Sequence, residues 1–223
     1  MELKEIKNKK YFNKGRTAKC YLLDNGNILK LFNSKRDLSE IDRFKYMMEY
    51  ANDSFIFPFE FIYDSKKFYG YITKRAPGII LESAFSKSNL INLSKHSQVL
   101  EHDIDYISEG GIALYDFHDQ NVLYDGKRYS VIDHDENAIY RSVDYAKDFN
   151  QESHRIMVGK LFENNIRNGK HTKFILDKVN QYKYSDIRPS QMIGEIKQDI
   201  DFYFKEDIKT IEELNSIIIG KHR

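Results

Sequence analysis

Residues 112–123 read Ile112-Ala113-Leu114-Tyr115-Asp116-Phe117-His118-Asp119-Gln120-Asn121-Val122-Leu123. They continue as Tyr124-Asp125-Gly126-Lys127-Arg128-Tyr129-Ser130-Val131-Ile132-Asp133-His134-Asp135-Glu136. Asp116 and Asn121 stand five residues apart. Asn121 opens a short apolar run, and the Asp125-Gly126 step signals a hairpin leading into Val131-Ile132-Asp133. The two strands of such a hairpin bring Asn121 and Asp133 to neighbouring ends. Three oxygen-bearing side chains are therefore expected around one point, and carboxylate and amide oxygens are what a hard ion such as Mg²⁺ takes.

Upstream, residues 1–75 read mostly as strands. Tyr11-Phe12, Cys20-Tyr21-Leu22-Leu23 and Ile28-Leu29-Lys30-Leu31-Phe32 are short apolar and aromatic runs, the last two separated by Asp24-Asn25-Gly26-Asn27. Leu38, Ile41, Phe44 and Met48 recur at helical spacing and predict a helix over 37–51. Phe59–Tyr63 and Phe68–Thr73 read as a second strand pair, and Ala76-Pro77-Gly78 breaks the pattern. Downstream, a helix over 94–109 stops at Gly110-Gly111. Further helices are expected near 152–167, 170–181, 189–204 and 207–219. The outline is α+β, with lobes at 1–75 and 76–223.

The chain has 223 residues, enough for one domain or two small lobes sharing a substrate cleft. Lys+Arg is 35 against Asp+Glu at 34, a net charge of +1, which argues against a nucleic-acid partner. A single cysteine, Cys20, excludes an internal disulfide and fits a reducing, cytoplasmic setting. No apolar run nears the roughly 20 residues of a membrane span, so no membrane partner is expected. Met1–Glu5 is charged and carries no secretory core.

With Asp116, Asn121 and Asp133 in this order and spacing, the sequence resembles the protein-kinase-like superfamily, including its aminoglycoside-phosphotransferase branch. The resemblance implies a bilobal fold, with a small antiparallel β N-lobe holding one helix and a mainly helical C-lobe. It implies Asp116 as the catalytic-loop Asp, with Asn121 and Asp133 as Mg²⁺ ligands. Asn13-Lys14-Gly15-Arg16-Thr17-Ala18-Lys19-Cys20 has the register of the glycine-rich loop, so Asn13, Gly15, Ala18 and Cys20 would lie at the ATP phosphates. Lys30, ten residues after Cys20, falls at the third-strand lysine, with Glu40 chosen over Glu49 as its helix partner. Thr73, Lys74 and Arg75 fall in the hinge, whose backbone would meet adenine. Arg188-Pro189-Ser190 is similar to a structural element near the end of a kinase C-lobe.

The match is incomplete. Leu114 and Tyr115 replace the usual His and Arg, and the metal triplet reads Asp133-His134-Asp135. Asp135 is either a second ligand or solvated; His118 either orients Asp116 or packs. The expected activity is ATP- and Mg²⁺-dependent transfer to a hydroxyl, leaning to a protein Ser/Thr. A small-molecule kinase and a nucleotide-binding pseudokinase are the alternatives. Glu152, where the next helix is expected, lies 19 residues after Asp133. That leaves no room for a long peptide-docking segment. The His-Asp pairs at 102–103, 118–119 and 134–135 suggest a metal-dependent phosphohydrolase, but two of the three lie outside predicted helices.

Overall fold

Asp24–Asn27 turns the chain as expected: the Leu23 N–H donates to the Asn27 carbonyl and the Gly26 N–H to the Leu23 carbonyl, each at 2.9 Å. The computed structural model describes residues 10–220, with the side chains of residues 10 and 12–14 outside the described set. The protein is α+β and divides into two compact units, Met1–Ala76 and Pro77–Arg223.

The first unit is an antiparallel sheet of β1 (Lys10–Lys14), β2 (Ala18–Leu22), β3 (Ile28–Arg36), β4 (Pro58–Tyr63) and β5 (Phe68–Thr73). Its spatial order is β1-β2-β3-β5-β4. Successive side chains alternate between its faces. One face buries Leu23, Leu29, Ile62 and Ile72 as an apolar cluster. The other takes α1 (Ser39–Met48), which buries Ile41, Phe44 and Met47. Phe44 lies 5.3 Å from the Tyr71 ring and 6.2 Å from Phe68, centroid to centroid. Such tilted and edge-on pairs add to area burial. Gly70 allows β5 to approach β3 closely, because a Cβ there would collide with the Lys30 carbonyl oxygen.

The second unit is built on α3 (Leu90–Glu109). Its Leu90, Leu93, Leu100, Ile104 and Ile107 form a buried stripe at three- to seven-residue spacing. Against it pack α4 (Val143–Asn165), which also meets α5 (Thr172–Lys183), and α6 (Pro189–Phe204). Last comes α7 (Ile211–Ile218). Short strands β6 (Ile79–Ile80), β8 (Val122–Tyr124) and β9 (Tyr129–Val131) make one small sheet. β7 (Ile112–Ala113) and β10 (Ala138–Ile139) make another, and α2 (Leu81–Phe85) follows β6. Gly111, in the left-handed region at φ +67°, reverses the chain after α3, where a Cβ would strike the Tyr140 carbonyl.

Arg188-Pro189-Ser190 ties α6 to α3. The Arg188 guanidinium donates to both Asp105 oxygens, at 3.2 and 3.0 Å. Ser190 donates to Glu101 through its backbone N–H at 2.5 Å and its hydroxyl at 2.9 Å. Glu101 and Asp105 are one helical turn apart, so one face of α3 receives the whole element. Burial alone would raise the Asp105 carboxyl, but bonds from Arg188 and Gln151 outweigh it and hold the group below its usual range.

Two helices start earlier than expected. α3 begins at Leu90, not at 94, because the Asn89 side chain caps the Ile91 and Asn92 N–H groups. α4 begins at Val143, not at 152, capped by the Ser142 hydroxyl on the Tyr145 N–H at 3.2 Å. Its first buried positions are Ala146, Asn150 and His154, which are small or polar. Apolar periodicity cannot reveal such a stripe. β6, α2 and β10 were also unanticipated, each only two to five residues long.

His154 makes the stability of this unit pH-dependent. Burial first, with a contribution from Arg188, pushes its pKa down to about 3. An unfolded histidine takes a proton below about pH 6.5 and the native one does not, so stability falls as pH drops from about 6.5 toward 3. Between pH 6.5 and 5 the loss is about 2 kcal/mol. Urea midpoints of the unmodified chain and His154→Gln at both pH values measure it. The variant should lose less on acidification; an unchanged slope contradicts the assignment.

Candidate active site

The loop between β7 and β8 carries Asp116, His118 and Asn121. Its entrance is anchored from below by Asn150 of α4, which is fully buried. The Asn150 amide nitrogen donates to the Ile112 carbonyl at 2.8 Å and to the Ser108 hydroxyl at 2.9 Å. Its amide oxygen accepts the Leu114 N–H at 2.8 Å. One side chain thus fixes the backbone on both sides of Ala113, three residues before Asp116. Sequence reading missed Asn150, since a lone Asn in a helix carries no motif.

Within the loop, Asn121 Nδ2 donates to Asp116 Oδ2 at 2.9 Å and to the Asp116 carbonyl at 3.0 Å. The loop is closed on itself by Asp116 and Asn121. Asn121 Nδ2 is thereby committed, which leaves Oδ1 as the oxygen available to a ligand. The Gln120 N–H donates to His118 Nδ1 at 3.3 Å, and the other ring nitrogen, Nε2, lies 3.2 Å from Asn121 Nδ2. His118 Nε2 lies 3.3 Å from Asp116 Oδ1. His118 is 44% exposed and makes this contact at the surface, not as part of the buried core. The Asp116 side chain is 41% exposed and open to solvent.

The β8–β9 hairpin places the third residue. Val122 opposes Val131, and the Ile132 N–H donates to the Asn121 carbonyl at 2.9 Å. Asp133 therefore stands one residue beyond Asn121's cross-strand neighbour. The turn is held by Asp125, whose Oδ1 accepts the Lys127 and Arg128 N–H groups at 2.8 Å each. Asp133 has φ +62°, a left-handed conformation costing about 1–2 kcal/mol outside glycine. Such strain concentrates where a side chain must be aimed. Asp135 is only 4% exposed, so its solvated alternative is excluded.

Asn121 and Asp133 supply hard oxygen donors. Among the described residues no three His, Cys, Asp or Glu side chains converge as a metal cage. That donor set fits Mg²⁺, which binds through one or two protein oxygens plus phosphate and water.

In the first unit, Ala18, Cys20, Lys30 and Thr73 share one sheet face. Cys20 opposes Lys30, Lys30 opposes Tyr71, and Ile28 opposes Thr73. Lys30 is 7% exposed, with Nζ 5.7 Å from the Tyr71 ring centroid. Gly15 begins the turn between β1 and β2, its N–H donating to the Ala18 carbonyl at 2.9 Å. The Asn13 backbone lies in β1, while its side chain falls outside the described set.

One expectation is corrected here. Among the described residues Glu40 pairs not with Lys30 but with Arg36 at 3.0 Å and Arg43 at 3.2 Å, both through Oε2. Arg43 lies three residues on in the same helix and Arg36 four residues back at the end of β3, and that proximity decides the pairing. Thr73 spends its hydroxyl on the Ile56 and Phe57 carbonyls, at 3.3 and 3.1 Å, so its side chain serves the fold. Lys74 and Arg75 follow β5 and are exposed.

Among the described residues no helix is long and apolar enough to cross a membrane. No protein-family model matches the chain, and no curated protein matches it.

Proposed function

We propose that the protein is a bilobal, protein-kinase-like phosphotransferase that moves the γ-phosphate of ATP to a hydroxyl. The reading rests above all on the closed Asp116–Asn121 loop with Asp133 beside it in a left-handed conformation. The first unit supplies Lys30, a buried cation suited to the α- and β-phosphates. In the second unit Asp116 accepts the acceptor's proton, held in place by Asn121 and His118. Asn121 Oδ1 and Asp133 would hold Mg²⁺, which when bound neutralises phosphate charge during transfer.

The acceptor expected from the sequence leans to a protein Ser/Thr. The early start of α4 leaves only His134–Ser142 between Asp133 and that helix. This is shorter still than the sequence suggested and favours a small acceptor over a docked peptide.

Nucleotide binding is testable without knowing the acceptor. At about 100 times its Kd, ligand stabilises by about 2.7 kcal/mol, or about 5–10 °C for a chain of this size. Mg-ATP should raise the Tm of the unmodified chain by that much, and of Lys30→Met by far less. Equal shifts, or none in either, contradict the reading.

A further inference from the structure

A cavity of about 140 Å³ lies within the second unit, between the Asp116 loop and α4. Phe117, Ile156 and Met157 make its apolar part, and Asp119, His118 and Lys160 its polar part. His118 lines the cavity and also touches Asp116 at 3.3 Å, so the cavity opens one imidazole away from the proposed base. The Lys160 side chain is exposed and makes no hydrogen bond or ion pair with any described residue. Among the described residues the Asp119 side chain meets only His118, at a loose 3.9 Å. One cation and one anion, neither engaged with the other, thus face a space of small-molecule size beside an apolar wall.

Resting on the phosphotransferase reading, we infer that this cavity holds the acceptor and that the acceptor is a small hydroxylated zwitterion, a free hydroxy-amino acid. Lys160 takes its carboxylate, Asp119 its ammonium, and the apolar wall its carbon chain. The hydroxyl oxygen then attacks the γ-phosphorus. The bond between that phosphorus and the β–γ bridging oxygen breaks, and ADP leaves with the electron pair. The hydroxyl proton passes to Asp116, giving a phosphate monoester and ADP. A threonine within a protein offers neither charge, so the cavity distinguishes a free amino acid from a residue in a chain.

Four probes separate these terms. L-threonine carries the hydroxyl and both charges. 1-Aminopropan-2-ol lacks the carboxylate, 3-hydroxybutyrate lacks the ammonium, and N-acetyl-L-threonine amide lacks both charges. Coupled ADP assays with Mg-ATP should give kcat/KM for L-threonine about 10- to 100-fold above each of the others, as for loss of one charged hydrogen bond. Lys160→Met should erase the difference between L-threonine and 1-aminopropan-2-ol. Asp119→Asn should erase that between L-threonine and 3-hydroxybutyrate. Binding of L-threonine, followed by ligand-observed NMR on the full chain, should weaken in both variants and gives a readout independent of turnover. Overturning results are equal use of all four probes, preference for the blocked threonine, or L-threonine binding unchanged in both variants. If Mg-ATP turns over in water but no probe stimulates it, the cavity assignment falls and the phosphotransferase reading stands. If Mg-ATP neither binds nor turns over, the phosphotransferase reading falls, and the acceptor assignment with it.

Discussion

Asp116→Ala should lower phosphoryl transfer from ATP by about 10²–10⁴-fold, the usual contribution of a positioned base. The size follows from what the carboxylate does. One oxygen accepts Asn121 at 2.9 Å and the other faces His118 at 3.3 Å, so the group is held in one orientation toward an open face. The fold should barely notice. Asp116 is 41% exposed, and Asn121 keeps its bond to the Asp116 backbone carbonyl at 3.0 Å. Surface changes of this kind stay within about 0.5 kcal/mol. The expected signature is therefore a collapsed kcat with intact Mg-ATP binding and an unchanged urea midpoint. A variant that turns over ATP as fast as the unmodified chain would remove Asp116 from the chemistry. Such a result would favour the nucleotide-binding pseudokinase.

Asn150→Ala should produce the opposite profile in stability, with activity lost as well. Removing this amide orphans the Leu114 N–H and the Ile112 carbonyl, both in buried residues, and one bond to Ser108. Each unmade buried bond costs about 1–3 kcal/mol, so about 3–5 kcal/mol is expected in total. That corresponds to a fall in Tm of about 10 °C. Asn150→Asp is the informative partner. It keeps an oxygen for Leu114 but loses both donated bonds. If Asn150 positions the Asp116 loop, kcat in Asn150→Asp should fall while the KM for ATP holds, at temperatures where the variant is fully folded. Loss of stability with kcat untouched would reduce Asn150 to a packing role.

Much of the fold could be read from the sequence where one physical signal dominates. Asp24–Asn27 and Asp125-Gly126 form turns because Asn, Asp and Gly tolerate the required dihedrals. α1 could be read from its apolar spacing, and α6 from Pro189 at its first turn. The failures have a common cause. The first three turns of α4 bury Ala146, Asn150 and His154, so the helix is specified by polar satisfaction, which sequence periodicity does not register. The same blindness hid Asn150 from the site. Glu40 was misassigned because helical phase says which way a carboxylate points and not which of several nearby cations reaches it first. Arg36 and Arg43 win by proximity. By contrast Asp116, Asn121 and Asp133 are brought together by a five-residue loop and a two-strand hairpin. Their proximity is local in sequence, and local geometry is what sequence spacing encodes best.

Phosphate transfer from ATP by Asp116, Asn121 and Asp133 is read out as ADP formation. Purified chain, Asp116→Ala and Asp133→Ala would each be incubated with ATP, with and without Mg²⁺, and ADP followed over time. Mg²⁺-dependent ADP formation is expected from the unmodified chain, reduced about 10²-fold or more in both variants. Equal ADP formation by all three proteins, or none above a protein-free blank, would contradict it.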